Sequence, residues 1–297
     1  MVAAAAASGL AVLAQSLASL YPILIKRVDT NILTQTTVRF VLLPILALIF
    51  GGTAAFGAVT NSWGKIGLVL AAGALNLTHV FSSYTAFDEL QAGIAMSIFY
   101  TYPFWNLIGA RIFLGEPIKA WTLPLFAIAL IGTYLIASAA PESVSYKETK
   151  GERSLPIRGI IAAIMAALTE TGLYLTVRGS STDNPFSNMM LLYLGGAALI
   201  VAALPALKAA AGQTLDLQLK SLLPTAGFNG TIGFISALLL FFTARHLPAY
   251  MYSILAFVGV ATAYLYGVAF AQEVPSGRAI GGTGLVLGAI AALYKMS

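Results

Sequence analysis

Ten runs of about twenty mostly apolar residues constrain this chain more than any other feature. They cover 3–24, 32–50, 65–86, 91–113, 120–139, 159–178, 186–206, 222–243, 248–270 and 279–294. A helix that crosses a bilayer needs about 20 such residues. The runs are unbroken rather than alternating, which disfavours a β-barrel. Short connections with turn-forming residues separate them, as at Asp29-Thr30-Asn31, Gly115-Glu116-Pro117 and Asp183-Asn184-Pro185. The first run lacks a basic leading segment and keeps Gln15 within it, so it reads as a helix rather than a signal peptide. The predicted fold class is an all-α membrane protein with ten transmembrane helices.

The charge content agrees. Only 9% of the residues are charged and 59% are hydrophobic, with a mean hydropathy of +0.86. A soluble domain carries about 25% charged residues, and this chain has too few to cover a soluble globule. A soluble enzyme or a nucleic-acid-binding protein is thereby disfavoured despite the net charge of +5. The absence of cysteine removes disulfides, thiolate nucleophiles and thiolate metal sites. With two histidines, no HExxH pattern and no Walker A loop, no catalytic residue, metal or cofactor is expected.

The one long connection, 140–158, is polar, mixed in charge and bounded by proline. It divides the chain into a first five-helix repeat at 1–140, a connecting loop at 141–157 and a second five-helix repeat at 158–297. Leu114-Gly115-Glu116 after the fourth run and Ala271-Gln272-Glu273 after the ninth stand 157 residues apart. The same offset carries Ala140 onto Ser297. Asn76-Leu77-Thr78 and Asn229-Gly230-Thr231 stand 153 apart, a difference of about one helical turn that keeps the face. Five spans is an odd number, so two consecutive copies insert in opposite directions. Such inverted repeats are typical of secondary transporters, whose substrate site lies near the midplane between the halves.

On these residues the chain resembles the drug/metabolite transporter superfamily and, within it, the ten-helix EamA-like branch. The paired segments Ser97-Ile98-Phe99-Tyr100-Thr101-Tyr102-Pro103 and Ser253-Ile254-Leu255-Ala256-Phe257 carry the likeness, together with Gly115-Glu116 and its altered copy Gln272-Glu273. The resemblance implies a carrier of small organic metabolites that works by alternating access. It also implies a cavity lined by helices 1, 3, 4, 6, 8 and 9.

Ionisable groups inside a span are costly and mark function by default. Of the 11 acidic residues, only Glu170 falls deep within a run. Desolvation there penalises the ionised form, so such a carboxyl can take up a proton and release it when a cation arrives. It resembles the membrane-embedded Glu on the first helix of the related small multidrug resistance proteins, here in the second copy, with Gln15 as its neutral counterpart in the first. The alternative is a protonated Glu bonded to a neighbouring helix for structure alone. Helical spacing collects further candidates for the substrate site: Gln15 and Ser19 on the first run, Asn76, His79 and Ser83 on the third, and Tyr100, Thr101 and Trp105 on the fourth. Tyr174 on the sixth, Asn229 and Ser236 on the eighth, and Tyr252 and Ser253 on the ninth complete the set. His79 is a second candidate for proton coupling, since imidazole titrates near neutrality. Interhelical hydrogen bonding is the structural alternative for each of these side chains. Arg39 reads as a structural residue that snorkels to the interface. Gly281, Gly284 and Gly288 read as a close-packing face of the last helix.

Aromatic faces with one carboxylate suit an amine, a quaternary ammonium or an amino acid. The lack of a paired basic site argues against a nucleotide sugar or organic phosphate, which remains a competing cargo. An uncoupled facilitator or channel is the other alternative. The expected partners are a small-molecule substrate, the lipid bilayer and protons, with no nucleic acid, and the chain acts as a monomer or homodimer. The expected location is the plasma (inner) membrane. Six basic residues share the termini's side and ten lie opposite, which would place the opposite side in the cytoplasm. The family resemblance implies cytoplasmic termini, and the expectation follows it.

Overall fold

Every one of the ten runs forms helix in the computed structural model, which describes residues 2–59, 63–90, 92–139, 157–211, 214–271 and 276–296. In chain order the helices are α1 (Ala5–Arg27), α2 (Ile32–Phe56) and α3 (Gly64–Glu89). α4 comes in two pieces, Ala92–Phe99 and Tyr102–Phe113, and α5 is Thr122–Ser138. The second half holds α6 (Ile157–Arg178), α7 (Pro185–Ala206), α8 (Leu219–His246), α9 (Ala249–Phe270) and α10 (Gly277–Met296). Eight of these, all but α4 and α5, are long and apolar enough to cross a membrane as single helices. Among the described residues no strand occurs. Most of the expected loop at 141–157 lies outside the described residues, as do Gln272, Glu273 and the ends of the Ala140–Ser297 correspondence.

Local chemistry explains where the helices start and stop. Asn31 caps α2 by accepting the Thr34 N–H at 2.8 Å. Asn184 accepts the Phe186 N–H at 2.9 Å, with Pro185 already at a helical φ for the first turn of α7. Gly115 adopts a φ of +68° after α4, a conformation that side chains with a Cβ rarely take, and so turns Glu116 back toward the bundle.

Several helices on the inner side are interrupted. The regular α-helix of α1 stops at Ala18 and resumes at Tyr21, ahead of Pro22. That of α4 breaks at Tyr100–Thr101, ahead of Pro103. Proline removes an N–H and clashes with the carbonyl four residues back, so each break falls one turn or less before a proline. α8 widens to a π-helical segment at Asn229–Gly233, a feature often found at functional sites.

Small residues set the closest helix contacts. α5 packs on α10 where a Cβ on Gly132 would lie 2.6 Å from the Gly282 carbonyl oxygen. The close-packing face expected at Gly281, Gly284 and Gly288 is therefore corrected: a Cβ at any of the three would meet nothing within 4 Å. Gly282 is rotated about 100° from its neighbour Gly281 around the helix, and α5 meets that face instead. Gly282→Val is expected to cost about 1–3 kcal/mol through overpacking against backbone. Gly284→Ala is expected to leave the melting temperature in detergent unchanged, and the two melting curves check the contrast.

Candidate functional site

Behind the interrupted helices lies a cavity of about 120 Å³, room for several water molecules. Side chains of α1, α2, α3, α4, α6, α7, α8 and α9 line it. Of the sequence candidates, Gln15, Asn76, His79, Ser83, Tyr100, Glu170, Tyr174, Ser236 and Tyr252 face it together.

Glu170 sits eight residues before the end of α6, about 12 Å along the helix. Its Oε2 lies 3.3 Å from His79 Nε2. On the other side of the imidazole, Nδ1 lies 3.1 Å from the Ala166 carbonyl oxygen. A carbonyl only accepts, so this shorter contact favours a proton on Nδ1 over one donated to it by the Thr169 hydroxyl at 3.4 Å. In a neutral imidazole Nε2 is then bare, so the contact with Glu170 requires one more proton. Either the carboxylic acid donates to Nε2, or an imidazolium donates to the carboxylate. With Nδ1 protonated, the pair is built to hold one shared proton.

Aromatic rings wall the cavity beside this pair. Tyr174 and Tyr252 stack with centroids 4.9 Å apart and planes 23° apart. Phe99 meets Tyr100 and Tyr102 at 5.4 and 5.1 Å and His79 at 6.0 Å. Tyr102 donates to Gln15 Oε1 at 3.3 Å, and the Tyr100 hydroxyl occupies the space that a side chain at Gly259 would need. Three other candidates satisfy the backbone while facing the cavity. Asn76 donates to the Leu192 carbonyl of α7 at 3.1 Å, whereas Ser83 and Ser236 donate to carbonyls of their own helices.

Arg39 corrects the sequence reading: its side chain turns inward rather than to an interface. Its Nε and Nη2 donate to the Tyr193 hydroxyl at 3.1 and 2.8 Å. Its Nη1 donates to Tyr21, to Tyr84 at 3.5 Å and to Asn229 Oδ1 at 3.4 Å. The guanidinium carbon stands 4.9 Å from the Tyr21 ring centroid and 5.5 Å from that of Tyr193. Asn229 belongs to this cluster, accepting from Tyr21 and Tyr84 and donating to the Thr225 carbonyl. A snorkelling Arg keeps hydration by reaching the headgroups; here five polar contacts inside the bundle replace it.

The remaining candidates lie elsewhere. Thr101 and Trp105 line a shallow outer groove with Ile164 and Leu168, because the break in α4 turns Tyr100 and Tyr102 inward and their neighbour Thr101 outward. Ser19 bonds Thr262 of α9 at 2.8 Å. Ser253 is fully buried outside the cavity wall, with no partner for its hydroxyl among the described residues. Sequence reasoning missed Tyr21, Tyr84 and Tyr193. Tyr84 lies one helical turn from Val80, on the same inward stripe, but Tyr193 sits on α7, outside the six helices expected to line the cavity.

A polar lock ties helix ends together at the Arg178 end of α6. Arg178 Nε donates to Glu116 Oε1 at 2.7 Å, and its Nη1 donates to the carbonyls of Ala244 and Arg245. Glu116 Oε2 accepts the Ala249 N–H at the start of α9 at 3.0 Å. Arg245 pairs with Asp183 at 2.7 Å, and this hydrogen bond and charge hold the exposed Asp183 carboxyl below its ordinary range. Glu116, read from sequence as a helix-end residue, thus joins three connections. Arg178 adjoins Val177, and Arg178 Nη1 bonds the backbone of Ala244, both cavity-lining positions. Arg178→Gln is expected to raise maleimide labelling of a Val177→Cys reporter several-fold. The native chain has no cysteine, so the labelling is specific, and an unchanged rate would show that the lock does not limit entry.

The model of the EamA-like transporter family matches residues 6–138. Among curated proteins, no match is found. A solved structure described as "Crystal structure of protein" superposes with a TM-score of 0.72 at 15% identity, covering 98% of this chain and 99% of that one. At that identity the likeness shows the fold, which extends over both halves. The eight long apolar helices fit a multi-pass membrane protein, and the matched family is one of transporters. Over residues 6–138, somewhat under half of its length, this chain is similar to the EamA-like transporter family.

Proposed function

We propose that this protein is a proton-coupled secondary transporter of a small amine-bearing metabolite, an amino acid or a quaternary ammonium being alternatives within that class. The observation that carries the reading is the 3.3 Å contact between Glu170 and His79, a pair able to share one proton, in a cavity walled by tyrosine and phenylalanine. A substrate cation that reaches Glu170 replaces the stored proton as the partner of the carboxylate, so one site serves both ligands in turn. The aromatic faces of Tyr100, Tyr174 and Tyr252 suit the apolar and cationic parts of such a molecule. Alternating access follows if two inverted five-helix halves, 1–140 and 158–297, rock about this site. The Arg178–Glu116 lock would then be one of the two closures.

The test uses proteoliposomes holding the purified protein and an imposed pH gradient. Accumulation of radiolabelled 2-phenylethylamine or L-phenylalanine that reverses direction with the gradient is expected. Equilibration that ignores the gradient would favour the uncoupled facilitator.

A further inference from the structure

Arg39 is the feature that the proton-coupling reading leaves unused. It brings a permanent positive charge to the same cavity as Glu170 and His79. Every hydrogen-bond acceptor it meets among the described residues is neutral: the hydroxyls of Tyr21, Tyr84 and Tyr193 and the amide oxygen of Asn229. No carboxylate lies within 4.0 Å of it among the described residues. A buried cation is costly unless paired with charge, and this one is oriented without being neutralised.

The surrounding residues hold the guanidinium in place. Two tyrosine rings lie beside it, and Asn229 reaches it from the π-helical segment of α8. At Gly233 a Cβ would collide with the Tyr21 hydroxyl and approach Arg39 Nη1 at 3.3 Å, so the missing side chain makes room for the cluster. Nη2 carries two N–H groups and has one acceptor among the described residues, the Tyr193 hydroxyl. That hydroxyl accepts from Arg39 and keeps its own O–H to donate. An N–H of Arg39 and the O–H of Tyr193 together form a donor pair for an oxyanion.

We propose that Arg39, with Tyr193, binds the carboxylate of the transported molecule, so that the substrate is a zwitterion and not a simple amine. The inference rests on the cavity being the transport site. A zwitterion would place its carboxylate at Arg39 and its ammonium toward Glu170, and an apolar or aromatic side chain would meet the rings between. A pure cation would leave the guanidinium unpaired and be repelled by it. Arg39 is then the residue that sets specificity between these two classes.

The experiment measures binding to full-length protein in detergent by calorimetry with three probes: L-phenylalanine, 2-phenylethylamine, which lacks the carboxylate, and 3-phenylpropionate, which lacks the amine. Wild-type protein is expected to bind L-phenylalanine more tightly than the amine. Arg39→Gln is expected to lose about tenfold to a hundredfold in affinity for the amino acid and for 3-phenylpropionate, the range for a hydrogen bond to a charged group. Its affinity for the amine is expected to stay the same or rise, which also shows that the variant is folded. Arg39→Lys keeps the charge but loses the forked donors, and partial recovery is expected. Equal binding of L-phenylalanine by Arg39→Gln and wild type would overturn the carboxylate site, as would a wild type that binds the amine alone, and either result leaves the amine-carrier reading standing. Failure of wild type to bind any probe counts against both readings.

Discussion

Glu170→Gln is expected to abolish accumulation driven by a pH gradient and to weaken substrate exchange across the same membrane, the remaining exchange losing its pH dependence. The amide of Gln donates to the bare His79 Nε2 as a protonated Glu would, so the 3.3 Å contact and the Nδ1 bond to Ala166 are kept. What disappears is the group that releases the proton. The other ionisable groups lining the cavity, His79, Arg39, Tyr21, Tyr84, Tyr100, Tyr102, Tyr174, Tyr193 and Tyr252, remain and keep the pocket's shape. Proteoliposome uptake with and without an imposed gradient, followed by counterflow at several pH values, separates the two effects. Undiminished gradient-driven uptake by the variant would remove Glu170 from the coupling mechanism. Counterflow undiminished from wild type would show that the substrate cation does not pair with Glu170.

The second large effect is structural. Gly195→Val is expected to prevent recovery of monodisperse protein. α3 and α7 cross with their backbones in contact: a Cβ on Gly195 would overlap the Val69 carbonyl, and one on Gly73 would overlap the Gly196 nitrogen. Gly196 in turn makes room for the ring of Phe40 from α2. Overpacking a core with movable side chains already costs about 1–3 kcal/mol, and here the obstructing atoms are backbone. Separating the two helices would also pull Leu192 from Asn76 and Tyr193 from Arg39, so both poles of the cavity would shift. Size-exclusion profiles of Gly195→Val and Gly288→Ala form the comparison, because a Cβ at Gly288 meets nothing within 4 Å. A Gly195→Val variant that elutes and melts like wild type would show that the crossing has slack.

The positions of the helices were legible in the sequence because apolar run length is a local property. The run read as 65–86 is helix over Gly64–Glu89, and that read as 159–178 over Ile157–Arg178. Glu170 was legible for the same reason: one acidic residue deep in an apolar run needs no knowledge of its neighbours. His79 could be placed on a stripe with Asn76 and Ser83, but the stripe did not say that Nε2 would meet Glu170. Thr101 and Trp105 were assigned inward on the same kind of periodicity, and the break in α4 changed the face at that point. A proline marks where a helix is disturbed, but the direction of the bend depends on what packs against it.

Sequence alone determined that this chain is a bundle of ten apolar helices, with one carboxyl too deep for an ordinary surface role. Those conclusions follow from the transfer free energy of residues along the chain, which each segment carries by itself. Tertiary structure decided the meaning of Arg39 and of the glycines. An arginine eight residues into a span can reach an interface or a cavity, and the choice depends on whether its helix face meets lipid or other helices. Tyr21, Tyr84, Tyr193 and Asn229 come from four separate helices, and no spacing within any one of them predicts that they surround a guanidinium. Gly282 rather than Gly281 marks the close contact because α5 approaches from that side. Hydropathy acts residue by residue, whereas the pairing of faces is a property of the assembled bundle.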